Sequence, residues 1–277
     1  MATLSPLVIG VLVETRYLAQ AQPSGMIAAL RERGHVVRIL DPDVSAHELT
    51  DNAWLDELDL LVCRGRSWGL LCLLSWAEAR GVLTINRHRG ISGVHNKAEM
   101  SIALATAHIP TPRTFFGAVE EIARLAHPSL YPLILKPIFG DNCRGLHVVG
   151  TAGELRQVDW PEPIALAQQY LPSDGYDLKL YVVGDEVWST RKPSPFGAAA
   201  GRREAHAVPL TDAWRELALR CGRLFGLDLY GLDCIETPEG AVVIEVNDFP
   251  NYTGVPDAEE RLADYVARRV RMELPAR

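Results

Sequence analysis

Residues 242–256 read VVIEVNDFPNYTGVP and place two polar side chains where a buried strand is expected. Apolar residues lead into Glu245 and Asn247, which are separated by Val246, and a Pro-containing loop ends the strand. Residues two apart on a strand point to the same face of the sheet. A carboxylate and an amide therefore project together from an otherwise apolar element, where burial without partners is costly.

A second carboxylate, Asp233, lies upstream in YGLDCIE, and the turn TPEG joins this segment to the strand of Glu245. The two segments predict a β-hairpin that can bring Asp233, Glu245 and Asn247 to one face. Two carboxylates and an amide oxygen are hard ligands that suit Mg²⁺. Taken alone, the three residues favour a hydrogen-bonded polar cluster in the sheet.

The first ninety residues alternate between strand and helix patterns. Short apolar runs predict strands, and two segments with helical spacing end at a Gly that suits a C-cap. The strand runs are LVIGVLV, HVVRIL, LDLLVCR and VLTIN, and the helical segments are SGMIAALRERG and LLCLLSWAEARG. This alternation predicts a small parallel βαβ domain.

After residue 95 the pattern changes to hairpins and separate helices. Asn96 is a predicted N-cap, and a further helix is expected to begin near Thr151. Two hairpins are predicted, one turning at Gly184-Asp185 and the other at TPEG. The segment KPSPFGAAAGRREA breaks the pattern and is expected to be a mobile loop.

Composition excludes several classes of protein. The chain has 277 residues, a net charge of −7 and 48% hydrophobic residues. The acidic balance argues against a sequence-independent nucleic-acid binder, and no apolar run is long enough for a membrane span. The N-terminus lacks the basic region of a secretory signal, and the five scattered cysteines indicate reduced thiols. We therefore expect a cytoplasmic protein.

Other polar residues occupy positions that suit contacts to a phosphate or a ribose. Lys136 ends an apolar strand beside the loop FGDNCRG, where Gly140 and Gly145 allow backbone N–H groups to approach a phosphate. Lys97 opens its helix, and both lysines also fit solvated charges. In QQYLPSDGYDLK, Asp177 and Lys179 suit a ribose hydroxyl and a phosphate, although an ordinary strand and turn fits as well.

Together and in this order, these motifs resemble the ATP-grasp superfamily over roughly residues 95–255. The resemblance rests on HNKAEM, LILKPIFGDNCRGL, QQYLPSDGYDLKLYVVGDEV, GLDCIE and VVIEVNDFP. It implies a mixed α/β and α+β fold, in which an N-terminal βαβ domain precedes a two-subdomain ATP-grasp fold. The expected divisions are residues 1–93, 94–180 and 181–277.

The resemblance also implies a binding site for ATP and magnesium. Phosphate contacts are expected from Lys97 and Lys136, with a covering loop at residues 139–145. The implied adenine hinge consists of Gln168, Gln169, Tyr170 and Leu171, and the implied metal ligands are Asp233, Glu245 and Asn247. Two Mg²⁺ ions are expected, with Mn²⁺ as a substitute. The two glutamines stand where an acidic residue is common, and the phosphate loop has fewer Gly and Ser residues than many.

Within the superfamily, the motifs resemble the glutamate-ligase-like and lysine-biosynthesis ligases. This branch implies an ATP-dependent carboxylate–amine ligase that acts through an acyl phosphate on small-molecule or peptide substrates. Arg191 and Arg202 are the implied oxyanion contacts, and a homo-oligomer fits the branch. Since ligands of open α/β sheets bind beyond the carboxyl ends of the strands, Arg64 and Arg66 are expected to face the acceptor.

Two alternatives stay open. FPNYTGVP, together with LKLYVVGDEVWSTRKPSP, resembles the inositol polyphosphate kinases, which would transfer the phosphoryl group to a hydroxyl. The basic residues of such a kinase cleft would be Arg64, Arg66, Arg87, Arg89, Arg191, Lys192, Arg202 and Arg203. A non-catalytic ATP-binding module is the third reading, and the complete set of predicted ligands and lysines argues against it.

Overall fold

The computed structural model describes residues 5–140, 145–194 and 204–273. The strands of the described part are β1 Val8–Val13, β2 Val36–Leu40, β3 Leu60–Arg64, β4 Thr84–Ile85, β5 Thr114–Gly117, β6 Leu133–Lys136, β7 His147–Val149, β8 Ala165–Gln169, β9 Tyr176–Val183, β10 Glu186–Pro193, β11 His206–Ala207, β12 Leu229–Thr237 and β13 Gly240–Asp248. Its α-helices are α1 Thr15–Leu18, α2 Ala21–Glu32, α3 Trp68–Ala79, α4 His88–His95, α5 Lys97–Thr106, α6 Val119–Leu125, α7 Ala152–Gln157, α8 Asp212–Phe225 and α9 Ala258–Glu273.

The N-terminal part is a parallel sheet in the order β2-β1-β3-β4. Its central strands β1 and β3 are almost fully buried, as is usual for a parallel sheet covered by helices on both faces. Met26 and Leu30 of α2 pack against one face, and Leu70 and Leu74 of α3 pack against the other. The predicted βαβ domain is confirmed.

The middle part is an antiparallel sheet in the order β5-β8-β6-β7. Leu133 and Leu135 lie two apart on β6 and share a core with Ile122 of α6 and Leu155 of α7. Thr151 caps α7, since its hydroxyl accepts a hydrogen bond from the Glu154 backbone N–H at 3.1 Å. One face of this sheet is therefore covered by helices.

The third sheet is antiparallel and has the order β11-β10-β9-β12-β13. One of its faces packs on α5 and α8, with Leu178 and Leu232 in the same core as Leu104 and Leu217. Residues of the opposite face, including Tyr181, share a core with α9 and with the N-terminal sheet. This core fixes the position of the third sheet against the N-terminal part.

The loop FPNYTGVP, which follows β13, packs against the N-terminal part. Phe249 and Tyr252 of the opening stretch are buried in the same core as Tyr17. The Tyr252 hydroxyl donates to the Val182 carbonyl at 2.9 Å. The loop after β13 therefore anchors the predicted metal-binding strand against the N-terminal part.

Two of the expected divisions fall inside elements, because residues 93–94 lie in α4 and residues 180–181 lie in β9. We propose to place these divisions between the sheets instead, at residues 86–87, after the N-terminal sheet, and at residues 170–175, between the middle and third sheets. Within the described residues, no helix is long and apolar enough to cross a bilayer.

Candidate functional site

The three predicted metal ligands lie on the paired strands β12 and β13. Asp233 is directly opposite Glu245, and Gly231 is opposite Asn247. The register shifts after Asp233, so that Ile244 is an extra residue on β13. Such a bulge locally re-aims side chains, and Asp233, Glu245 and Asn247 line one cavity.

Each carboxylate is paired with a lysine of the same site. The Lys97 ammonium contacts Glu245 Oε1, and the Lys97 side chain is 10% exposed. The Lys179 ammonium lies 2.9 Å from Asp233 Oδ2 and 3.9 Å from Asp177 Oδ2. The site therefore balances its carboxylates with lysines at short range.

These pairs favour the charged forms of Glu245 and Lys179. Burial raises the pKa of Glu245, but Lys97, and after it Lys136 and Arg66, lower this pKa by more, so the net pKa lies below its usual value. Burial also lowers the pKa of Lys179, which the facing carboxylates raise above its usual range.

The pKa of Asp177 is shifted in the opposite direction from that of Glu245. Burial raises its pKa by more than Lys179 lowers it, because the ammonium lies nearer to Asp233. Its Oδ1 atom is buried without a hydrogen-bond partner among the described residues. An acceptor of this kind fits the ribose hydroxyl that the sequence predicted for it.

The cavity has a volume of about 360 Å³ and lies between the middle and third sheets. This volume and position suit a small-molecule site. Twelve of the seventeen predicted site residues line it: Lys97, Lys136, Gly140, Gln168, Gln169, Tyr170, Leu171, Asp177, Lys179, Asp233, Glu245 and Asn247.

The predicted adenine hinge, residues 168–171, has backbone N–H groups that are already hydrogen-bonded within the protein. The Gln169 N–H donates to the Arg113 carbonyl at 2.8 Å, and the Tyr170 N–H donates to the Pro132 carbonyl at 2.9 Å. Leu171 is the first cavity-lining residue beyond these pairings. It is therefore the hinge position best placed to offer its backbone to a ligand.

The side chain of Gln168 holds a lysine in place. Gln168 is 3% exposed. Its Oε1 accepts from the Lys136 ammonium at 2.6 Å, and its Nε2 donates to the Thr114 hydroxyl at 3.2 Å. The neutral glutamine thus orients Lys136 without neutralising its charge.

Sequence reasoning missed the apolar walls of the cavity, and it named Lys192 only for the alternative kinase cleft. Ile134 lies two residues before Lys136 and Ile235 lies two after Asp233, so the period of two already predicts that they line the same cavity. Ile244 faces the cavity through the bulge, for which the sequence gives no signal. Lys192 lines the cavity opposite Asp177 in the β9–β10 register.

The loop after β6 connects the phosphate side of the cavity to two other elements. The Lys97 backbone N–H donates to the Ile138 carbonyl at 3.1 Å, and Arg66 Nη1 donates to the Gly140 carbonyl at 3.5 Å. Gly145 has a φ of 71°, which glycine readily adopts. Residues 141–144 of the predicted loop lie outside the described residues.

Arg64, which was expected to face the acceptor, does not line the cavity. It is 8% exposed, and its guanidinium carbon lies 4.4 Å from the centre of the Tyr17 ring. It donates to Gln20 Oε1 at 3.1 Å and to the Asp248 carbonyl at 3.4 Å. Burial lowers its pKa, and Asp248 partly opposes this. Arg64 therefore joins the N-terminal part to the end of β13.

The expected oxyanion role of Arg191 does not fit its position. Arg191 pairs with Leu178 in the register, so it points away from the face that carries Lys179 and Asp233. It lies 2.5 Å from Glu236 and 3.3 Å from Asp174. Arg202 and most of the segment 192–204 lie outside the described residues.

A buried hydrogen-bonded pair beside the site had no sequence signal. His95 Nε2 lies 2.6 Å from Asp248 Oδ1, and their side chains are 8% and 2% exposed. Burial raises the pKa of Asp248, but His95 lowers it by more, so the net pKa is below its usual value. His95 and Lys97 thus hold β13 on both sides of Asn247.

The donor set fits magnesium bound together with a phosphate. Among the described residues, no group of three or more His, Cys, Asp or Glu side chains is arranged to hold a metal by itself. Two carboxylates and one amide leave several positions of an octahedral ion to phosphate oxygens and water, as Mg²⁺ prefers. The neighbouring lysines would supply positive charge to the same phosphates.

Comparison with known proteins places this geometry in a family. A model of the RimK-like ATP-grasp domain matches residues 94–266. A probable alpha-L-glutamate ligase of Alkalilimnicola ehrlichii is 28% identical over 259 residues, covering 84% of this chain and 85% of the relative.

Solved structures share the fold. The ATP-grasp RimK domain protein of Sphaerobacter thermophilus has a TM-score of 0.73 at 23% identity, covering 92% of this chain and 98% of the other. A second solved structure is the ATP-grasp ligase PsnB complexed with a phosphomimetic variant of its minimal precursor, Mg and ADP. It has a TM-score of 0.73 at 17% identity, and the match covers 94% of this chain and 98% of the PsnB chain. The predicted superfamily and branch are confirmed, and since the family model matches well over half of its residues, the chain belongs to the RimK-like ATP-grasp domain family.

Proposed function

We propose that this protein is an ATP-dependent ligase that joins an amine to a carboxylate, in a small-molecule or peptide substrate, through an acyl phosphate. The observation that carries the proposal is the pair Asp233 and Glu245, which faces a cavity between two sheets together with lysines of both. Family membership and the ligase names of its relatives support the same class.

The cavity residues divide into three parts by chemistry. The apolar residues Ile134 and Ile235 suit the adenine ring beside the hinge, and Asp177 suits the ribose. Lys97 and Lys136 lie where they can exchange their present partners for phosphate oxygens. Charge-assisted hydrogen bonds of this kind are stronger than neutral ones.

Asp233, Glu245 and Asn247 would hold the magnesium, with two ions as our proposal and Mn²⁺ as a substitute. When bound, Mg²⁺ would neutralise charge that develops on the transferred phosphoryl group. Glu245 is suited to this role because its lowered pKa keeps it ionised.

In the first step a substrate carboxylate oxygen bonds to the γ-phosphorus of ATP, and the bond to the β-phosphate oxygen breaks to release ADP. In the second step the amine nitrogen bonds to the acyl carbon, phosphate leaves and the nitrogen loses a proton. Lys97, Lys136 and Arg66 are the cations positioned to orient the phosphates. Arg66 takes the place expected for Arg191, because it contacts the loop at Gly140.

Hydroxylamine trapping tests the proposal. Purified protein is incubated with Mg²⁺-ATP, hydroxylamine and a panel of carboxylates that includes glutamate and carboxyl-bearing peptides. We expect ADP and a hydroxamate from at least one carboxylate, and neither product with Glu245→Gln. ADP release with a phosphorylated polyol and no hydroxamate would contradict the ligase and favour a kinase.

A further inference from the structure

The N-terminal part carries a second cavity, of about 410 Å³, which the nucleotide site does not use. We call it the acidic groove and define it by Pro42, His47, Leu49, Cys72, Leu73 and Trp76, which line it. Leu49 is 81% exposed, and the nearby Val44 and Trp68 are 81% and 78% exposed. Exposed apolar side chains gathered around a groove are typical of a surface that binds a partner.

The walls of the acidic groove are fixed by packing. The rings of Trp54 and Trp76 meet edge to face with their centres 5.4 Å apart, and the His47 ring lies 5.0 Å from Trp54. Trp76 Nε1 donates to Asn52 Oδ1 at 3.0 Å. A preformed groove loses little conformational entropy when a ligand binds.

The segment that supplies His47 and Leu49 to the acidic groove is rich in acidic residues. Between residues 39 and 63 the sequence contains no Lys or Arg, and its acidic residues are Asp41, Asp43, Glu48, Asp51, Asp56, Glu57 and Asp59. Arg38 pairs with Glu57, whereas the hydrogen bonds to Asp41 and Asp51 come from uncharged donors, the Thr15 hydroxyl at 2.6 Å and the Ala53 N–H at 2.9 Å. Charge complementarity therefore favours a basic ligand.

The acidic groove lies close to the nucleotide cavity along the chain. Gly69 lines the groove, and Arg66, three residues earlier, contacts Gly140 beside the phosphate site. Three residues span at most about 11 Å. The Arg66 side chain adds to this path, so an extended segment of about six residues, about 20 Å at about 3.3 Å per residue, suits the separation.

We propose that the acidic groove binds a basic peptide segment of the acceptor substrate, with apolar side chains between its lysines or arginines, so that the reacting end of the peptide enters the nucleotide cavity. This inference rests on the proposed ligase function and names its acceptor as a peptide. The docking step itself requires no nucleotide, so it can be measured separately from the chemistry.

Cys72 provides a local reporter, because it is exposed and lines the acidic groove. The probes are a fluorescein-labelled heptapeptide that alternates lysine with leucine and phenylalanine, and a counterpart with glutamate in place of lysine. Anisotropy gives the Kd of the first peptide. Alkylation of Cys72 by iodoacetamide is then followed by mass spectrometry of its tryptic fragment.

At ten times its Kd, the lysine peptide should slow alkylation of Cys72 about tenfold, in proportion to the fraction of groove left open. The glutamate peptide should leave the rate unchanged. Equal protection by both peptides, or none by either, would overturn the proposal.

Two exposed leucines give a matched pair of variants. Leu49→Ser should weaken binding of the lysine peptide roughly fivefold or more, as expected for loss of a leucine contact. Leu125→Ser, at a leucine 74% exposed on the middle part of the chain, should leave the Kd unchanged. Equal effects of the two variants would contradict docking in the groove. A failed hydroxamate assay alongside Cys72 protection would refute the ligase but not the groove as a binding site.

Discussion

Replacing Lys179 with Met removes the cation between Asp177 and Asp233. The ammonium lies 2.9 Å from one carboxylate and 3.9 Å from the other, and the side chains of Lys179, Asp177 and Asp233 are 13%, 7% and 26% exposed. Loss of one partner from a buried ion pair costs about 3–5 kcal/mol, because the remaining charge is left without compensation. Since Asp233 is partly solvated, we expect Lys179→Met to lower the free energy of unfolding by about 3 kcal/mol.

Urea unfolding followed by circular dichroism measures this change. The matched control is Arg124→Met, because Arg124 lies 2.7 Å from Glu121 on a helix surface where both side chains are more than 60% exposed. Exposed pairs contribute roughly 0–1 kcal/mol. The double variant Lys179→Met/Asp233→Asn should be more stable than additivity of the single variants predicts. The reasoning is refuted if Lys179→Met destabilises the protein no more than Arg124→Met.

Three further changes test the packing and charges around the site. Gly90→Ala should destabilise the protein by about 1–3 kcal/mol, because a Cβ there would lie 2.8 Å from a backbone carbonyl oxygen of α8, whereas Gly93→Ala in the same helix has its nearest atom at 3.9 Å and should be neutral or stabilising. Both are measured by urea unfolding, and equal effects would contradict the packing. Burial lowers the pKa of His35, so its neutral form is favoured in the fold and stability is lost as the pH falls below about 6.5. Between pH 7.5 and 5.5 the wild-type Tm should therefore fall further than the Tm of His35→Gln, and an equal fall would count against this. His95→Ala should cost about 1–3 kcal/mol, because it leaves the carboxylate of Asp248 buried without this hydrogen-bond partner, and a loss below about 1 kcal/mol in urea, the range of an exposed pair, would contradict that estimate.

Local patterns predicted much of the fold. Period-two apolar runs marked the strands, Asn96 was correctly predicted as an N-cap, and a helix does begin next to Thr151 as expected. Helix α4 was missed because HRGISGVH contains two glycines, which disfavour a helix. Its stability comes from tertiary packing, since Gly90 lets α4 approach α8 closely.

The candidate site was predicted in part. Its polar residues follow from strand periodicity and motif order, so most of them line the cavity. Arg191 was misplaced although the sequence held the answer: the two-residue turn at Gly184-Asp185 fixes the register, and with it the face of each residue on β10. Arg64 and the His95–Asp248 pair depend on segments more than 150 residues apart meeting in the fold, which no local pattern reports.

Binding of ADP measured by calorimetry, with Mg²⁺ and with EDTA, tests the central claim that Asp233, Glu245 and Asn247 hold magnesium with a nucleotide. Wild-type protein should bind ADP at least tenfold more tightly with Mg²⁺, and Glu245→Gln should lose this gain. Glu239→Gln, which removes the same charge from the exposed turn of the hairpin, should keep it. ADP affinity that is independent of Mg²⁺ in the wild type, or a full Mg²⁺ effect in Glu245→Gln, would contradict the account.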